Sequence, residues 1–521
     1  MRWIGVWLAV TPLAVASLPA RAGSAQDDFE AYRQQQQLGA QVVKAEFQKY
    51  KEKQDAEFAD FLKAQWSEFE TFKDKVRIKE PKPRQVPVVV APVAPQPVVK
   101  PQPPQPVAPT PVPDVPVKLV PAAPQPTIPP VVVAPVPVAP PPLPPQPKPV
   151  PVAPDTLEIA FYGNPVSFSF DPKWKDFRLS GAASAETMSG FWTLMSGSRY
   201  EPTLQAVNNA RRTLKLDDWG HVTLWRSVVQ ALQPERRAEQ NLLLWYFLIK
   251  SGYDVRLGYS GSDVYLFVAI RQQVYSTKFT SVANQTYYAV LTADHGASIG
   301  RFYTYDASYP VKLKPLDIQQ ASTGFTRAVS AQRGLSFDYK GETIRLNVSY
   351  DRRLVDYVGS FPQTEFPVYF DTEGSSLIRQ TLLPELKKRT SRMDEEEAVD
   401  FLLAFVQKAF AYKTDQEQFG YERYFFVEES LYFPYNDCED RAVLFAWLVH
   451  ELLGNKVVGL LYPNHMTTAV ALRQVKPEFS TVEYHGGRYV IADPTYIGAT
   501  VGMAMPSYEK LKPDSVVDIR Y

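Results

Sequence analysis

The chain of 521 residues holds a single cysteine, Cys438, so no disulfide can form within it. Five histidines and one thiol leave too few soft ligands for a structural zinc site. Lys plus Arg and Asp plus Glu are equal at 56 each, so no global field draws the chain to nucleic acid or to an anionic membrane. No segment after the N-terminus approaches about 18 uninterrupted apolar residues, which argues against a transmembrane span. What the chain has in excess is proline, 47 in all, and it is clustered. A length of 521 exceeds what one ordinary core accommodates, so two or more domains are expected.

The first 22 residues read as a signal peptide. Met1-Arg-Trp is a short positive start, Ile4 to Leu18 an apolar run, and Ala20-Arg-Ala22 a small-x-small cleavage motif before Gly23. The expected location is therefore outside the cytoplasm, periplasmic or secreted. A lone cysteine in an oxidising compartment is either buried and inert or used as a thiol.

Residues 23–80 read as one long charged helix, its pattern running from 28 to about 78. The aromatic pairs Phe47/Tyr50, Phe58/Phe61 and Phe69/Phe72 recur every 11 residues, with Phe29/Tyr32 a further 18 upstream. That period, about 3.67 residues per turn, keeps the aromatic stripe on one face. The stripe predicts self-association as a coiled coil, packing on the chain's own domains, or docking to another protein, for instance one of the cell envelope.

Residues 81–155 form a linker. Thirty of the 47 prolines fall between 81 and 154, interleaved with Val, Ala and Gln, and proline removes the backbone donors a core needs. Polyproline II there would span at most about 230 Å.

Residues 156–350 read as a mixed α+β domain and 351–521 as a second one. Leu244 to Tyr259 matches Leu444 to Tyr462 in pattern, with three residues of slack, and Ser260-Gly-Ser-Asp263 then falls against Pro463-Asn-His465. This suggests a duplication in which the first copy has no cysteine and either Ser262 or Asp263 replaces the histidine.

Chemistry concentrates near the C-terminus. Asn436 or Asp437 is a natural N-cap, with Asp440 set to reach back to it, so Cys438 should occupy the first turn of a helix. There the macrodipole favours a thiolate. Glu439 and Asp440 oppose one, so a proton-accepting histidine is required. His465 opens a strand after a Pro-Asn turn. Asp493 ends a strand 488–492 expected beside it and can orient the imidazole. The other histidines are worse placed. His450 lies about 18 Å along the cysteine helix, His485 sits in a His-Gly-Gly turn, and His221 and His295 belong to the other half.

Asn436-Asp-Cys-Glu-Asp-Arg-Ala442, the histidine-led strand at His465 and Ile491-Ala-Asp-Pro-Thr495 resemble the transglutaminase-like superfamily, closest to its bacterial cysteine proteinases. The resemblance covers residues 360 to 500. It implies a papain-like α+β fold, a cysteine helix on an antiparallel sheet, with Cys438 as nucleophile, His465 as base and Asp493 as orienting carboxylate. The backbone N–H of Cys438 would serve an oxyanion, with Tyr432 or Tyr435 as side-chain candidates. It further implies amide hydrolysis of a protein or peptide substrate in preference to cross-linking. No cofactor is implied by the residues, though calcium supports some relatives. Two departures stand out: Gln474 to Thr481 looks inserted, and Asn464 and Met466-Thr467 flank the histidine where the family differs. The competing expectation is a non-catalytic cell-envelope scaffold that uses the same fold for binding.

Overall fold

The computed structural model describes residues 25–64, 66–71, 155–292, 295–306, 309–319 and 323–520. The signal-peptide reading and nearly all of the proline-rich linker lie outside them. The architecture is α+β, and every strand pairing within its sheets is antiparallel. Among the described residues no helix is long and apolar enough to cross a membrane.

The N-terminal helix runs from Ala25 to Ala64 and stops there, short of the expected residue 78. Trp66–Glu70 (β1) is a strand, paired residue for residue with Arg301–Tyr305 (β8), Trp66 against Tyr305 and Glu70 against Arg301. The 11-residue spacing therefore does not mark one continuous face. Phe58 is buried against Trp192, Trp245, Tyr305 and Tyr309, whereas Phe69, on the strand, stacks on Phe302. Phe47 and Tyr50 remain exposed on the helix. Among the described residues Phe58, Phe61 and Phe69 of the stripe thus cover the chain's own domain, and β1 also protects a sheet edge that would otherwise stand open.

A hairpin, β2 (Thr156–Phe161) and β3 (Asn164–Ser169), opens the next segment. The first large sheet adds β4 (Val255–Ser260), β5 (Asp263–Ala269), β6 (Phe279–Val282) and β7 (Gln285–Tyr288), in the order β1-β8-β4-β5-β7-β6. A second hairpin, β9 (Ser330–Tyr339) and β10 (Glu342–Asp351), precedes residue 351 in sequence but packs on helices of the C-terminal half, 376–381 and 395–409. The second large sheet holds β11 (Val457–Tyr462), β12 (His465–Val470), β13 (Thr481–Tyr484), β14 (Gly487–Ala492) and β15 (Ser515–Asp518), in the order β13-β14-β12-β11-β15.

Apart from β1, the two sheets share one strand order. Each is preceded by a helix that lies against its first two strands: Arg237–Lys250 on β4 and β5, Cys438–Leu453 on β11 and β12. The register agrees as well. Val255 pairs Val268 as Val457 pairs Val470; Val268 pairs Tyr288 as Val470 pairs Val490; Thr280 pairs Tyr287 as Val482 pairs Tyr489. Each residue answers to the one 202 positions later, from Val255/Val457 through Tyr288/Val490, with no gap. The segment that looks inserted, 474–481, therefore has a counterpart of equal length at 272–279. Of the two candidates opposite the histidine, register selects Asp263: Ser260 pairs Asp263 as Tyr462 pairs His465.

Both helices are buried nearly all round, and one continuous apolar core runs from Phe58 to Val517 through both halves. Each sheet carries a smaller cluster on its other face, around Phe267 and Phe302 in the first and Leu460 and Ile491 in the second.

Candidate active site

Cys438 is the first residue of the helix Cys438–Leu453. The start is held by Asp440, whose carboxylate accepts the Asp437 N–H at 3.3 Å, while the Asp437 carboxylate accepts the Asp415 N–H at 3.3 Å. A left-handed Gly454 (φ 71°) ends the helix, a conformation glycine adopts without steric cost. The β11–β12 hairpin then returns the chain so that the Met466 N–H donates to Cys438 Sγ at 3.4 Å. The thiol itself donates to Glu439 Oε2 at 3.0 Å.

His465 opens β12, and Thr468 and Val470 of that strand pair Ala492 and Val490 of β14. This adjacency brings Asp493 under the imidazole: Nε2 of His465 lies 2.9 Å from Asp493 Oδ2. Asp493 is held from behind. Its Oδ1 accepts the N–H groups of Thr495 (2.9 Å) and Tyr496 (3.2 Å), the turn an Asp-Pro-Thr sequence favours. The same carboxylate thus makes a turn with one oxygen and holds a histidine with the other. With Nε2 engaged, Nδ1 of His465 is buried and has no hydrogen-bond partner.

The site is closed. Cys438, His465 and Asp493 are 0%, 1% and 1% exposed. The ring of Tyr508 stacks on His465, centroids 5.0 Å apart and planes at 18°, and its hydroxyl donates to the Pro463 carbonyl at 3.2 Å. Burial first, then the charges of Glu439 and Asp437, push the Cys438 thiol well above its ordinary value. Burial and the surrounding acids likewise hold Glu439 and Asp440 well above the usual carboxylate range.

Asp415, Asp437, Glu439 and Asp440 are all buried near the thiol; the buried guanidinium of Arg441 acts on Asp437 and Asp440, and Arg423 on Asp415. Arg441 donates to the carbonyls of Phe410 (2.9 Å) and Gln407 (3.4 Å), satisfying the end of the helix Glu395–Ala409. Carboxylate oxygens of Asp415, Asp437 and Asp440 lie within 4.8 Å of one another, as do those of Asp415, Glu422 and Glu439. Asp437 Oδ1 and Glu439 Oε1 are buried without a partner. These hard oxygen donors fit a calcium or magnesium ion, and among the described residues they are the groups that could hold one.

Both tyrosines expected near the oxyanion have other neighbours. The Tyr432 hydroxyl is engaged by Arg352, and Tyr435 is 37% exposed with Lys413 over its ring. Like Tyr508, Tyr412 lies near enough to Cys438 to feel its charge. Its hydroxyl is buried without a partner, and burial followed by the charges of Cys438 and Asp437 pushes it far up. Gln407 is a second residue without a sequence signal. Its Nε2 donates to the Asp493 and Ala499 carbonyls and its Oε1 accepts the Gly498 N–H, locking the loop that carries Asp493. Both come from a segment ahead of the cysteine helix, and no motif links them to the triad.

Comparison of the chain with protein-family models, curated proteins and solved structures returned no match.

Proposed function

We propose that the chain is an exported thiol-dependent enzyme of transglutaminase-like type, acting on amide bonds of protein or peptide, and hydrolysing them rather than cross-linking them. The observation that carries this reading is the His465–Asp493 contact at 2.9 Å, with Nδ1 left unpartnered next to the strand residue that bonds Cys438 Sγ. An aspartate on Nε2 selects the tautomer whose Nδ1 lone pair is free to take a proton. The helix on an antiparallel sheet and the order Cys, His, Asp along the chain support the same reading, as does the leader pattern of residues 1–22 for export.

In this reading the Cys438 thiol proton passes to Nδ1 of His465 as Sγ bonds to the amide carbon. The oxyanion is met by first-turn N–H groups, which have no intrahelical acceptor. His465 then protonates the leaving amine, and a thioester remains on Sγ. Water attacks the thioester, giving a carboxylic acid and restoring the thiol. The buried carboxylates around Cys438 oppose the thiolate. A divalent cation held by Asp415, Asp437 and Asp440 would neutralise that charge when bound.

The test uses the single cysteine. A thiol-directed amide-mimicking probe is added to the mature protein, and mass shift reports Cys438 alone. Labelling faster than free cysteine, slowed about a hundredfold in His465→Ala, is expected for general-base activation. Labelling no faster than free cysteine and indifferent to His465 would sink the catalytic reading. It would favour the second one, a binding scaffold, for which the complete burial of Cys438 and His465 is the supporting observation.

A further inference from the structure

The register that equates Asp263 with His465 also places counterparts for the other two members of the triad. Three residues past the paired Tyr288 and Val490 lie Leu291 and Asp493. Val264 answers to Met466, and the helix side chain that reaches Val264 is Asn241, whose Nδ2 donates to the Val264 carbonyl at 2.8 Å. In the second copy it is Cys438 that reaches Met466. Asp263 and Leu291 therefore stand opposite His465 and Asp493, and the same 202-residue register puts Arg236, not a thiol, opposite Cys438. They contain neither a nucleophile nor a base with an orienting partner.

This position has not been packed shut. It opens into a cleft of 780 Å³ lined by Asn241, Asp263 and Leu291 together with Arg226, Arg237 and Gln230. Protein interiors close voids wherever side chains can fill them, and ligand sites occupy roughly 300–1,000 Å³. Arg226 is half-buried on the cleft wall. Among the described residues it has no hydrogen bond and no ion pair, and burial first, then the like-charged Arg237, hold its pKa below the usual arginine value against the opposing effect of Tyr162. Two arginines on one cleft lining, one of them half-buried and unpaired, are arranged to receive an anion. Glu235 and Asp263, also on the lining, bring its formal charge to zero. Those two carboxylates repel negative charge beyond what Arg226 can pair, which disfavours a dianion such as phosphate relative to a single carboxylate. The remaining polar lining is mostly amide and hydroxyl, suited to the N–H and C=O groups of a peptide.

We propose that the N-terminal copy is a non-catalytic binding site for a peptide segment bearing a carboxylate, which Arg226 and Arg237 pair while the backbone of the peptide lies along Asn241 and Gln230. The site does not depend on Cys438 being a nucleophile.

The experiment is saturation-transfer difference NMR on the full chain carrying Cys438→Ala, which removes any reaction at the other site. The probes are the capped tripeptide with sequence alanyl-glutamyl-alanine, its glutamine analogue, and glutarate. The glutamate peptide is expected to bind, and Arg226→Gln to weaken it about tenfold, the loss of one charge-assisted pair. Ala238→Trp, which puts an indole into the cleft from the half-buried wall position of Ala238, is expected to abolish binding with the unfolding midpoint unchanged. The proposal is overturned if the glutamate peptide does not bind, if the glutamine peptide or glutarate binds as well, or if neither variant reduces binding.

Discussion

Lys250 Nζ lies 2.6 and 2.8 Å from the two carboxylate oxygens of Asp55, joining the N-terminal helix to the helix that underlies the first sheet. Both side chains are buried, 7% and 6% exposed, and the ammonium also sits within 5.4 Å of the ring centres of Trp192, Tyr200, Tyr246 and Tyr309. A charge so enclosed is tolerable only while its partner is present. Asp55→Ala is expected to cost about 3–5 kcal/mol, because it leaves a buried ammonium uncompensated. The double variant Asp55→Ala/Lys250→Met should recover most of that loss. Urea denaturation checks both, and a double variant no more stable than the single one would refute the account.

The closed thiol makes a second prediction. If the ring of Tyr508 covers His465 as its stacking indicates, Tyr508→Ala should speed alkylation of Cys438 by about tenfold or more, whereas Tyr508→Phe should leave it near the wild-type rate. An unchanged rate in Tyr508→Ala would show that the closure lies elsewhere.

Asp217 makes a third. It caps the helix Asp218–Leu232, accepts from Gly220 N–H (2.7 Å) and the Tyr357 hydroxyl (2.8 Å) through Oδ1, and leaves Oδ2 buried without a partner. Burial pushes it from 3.8 up to about 7. The folded state thus holds a proton that the unfolded chain has released, so this residue's contribution to stability falls as pH rises from about 4 and levels off above about 7. Asp217→Asn keeps the Oδ1 acceptor and removes the titration. Its unfolding midpoint relative to wild type should climb between pH 4 and 7 and then stay constant, as read by thermal melts. A difference independent of pH would contradict this assignment.

The acidic group beside Cys438 makes a fourth. With Asp437 Oδ1 and Glu439 Oε1 unpartnered, millimolar calcium should raise the melting midpoint and a chelator should reverse the gain. The variant Asp415→Asn/Asp437→Asn should melt higher than wild type in the absence of calcium, through relief of repulsion, and should not respond to it. Equal responses in variant and wild type would rule out binding at these carboxylates.

Much of the second sheet was legible because its signals are local. A capped helix start at Asp437, a Pro-Asn turn before His465 and an Asp-Pro at a strand end each need only a few neighbouring residues. The N-terminal segment misled for the same reason. An 11-residue aromatic period reads as one helical face, yet Trp66 and Phe69 find better burial on the edge of a sheet whose strands lie more than 230 residues away. Tyr412 and Gln407 were invisible because only packing brings the end of their helix and the loop after it against the triad.

The sequence by itself determined the inventory. Cys438 is the one thiol available, His465 and Asp493 are the partners that spacing allows, and their order along the chain follows from sequence alone. Tertiary structure decided the relations. It joined Nε2 of His465 to Asp493, surrounded the thiol with buried carboxylates, stacked Tyr508 on the imidazole, and set Asp263 at the register position that His465 holds in the second sheet. Those outcomes depend on strand register and on what a buried charge costs, and both are properties of segments packed together.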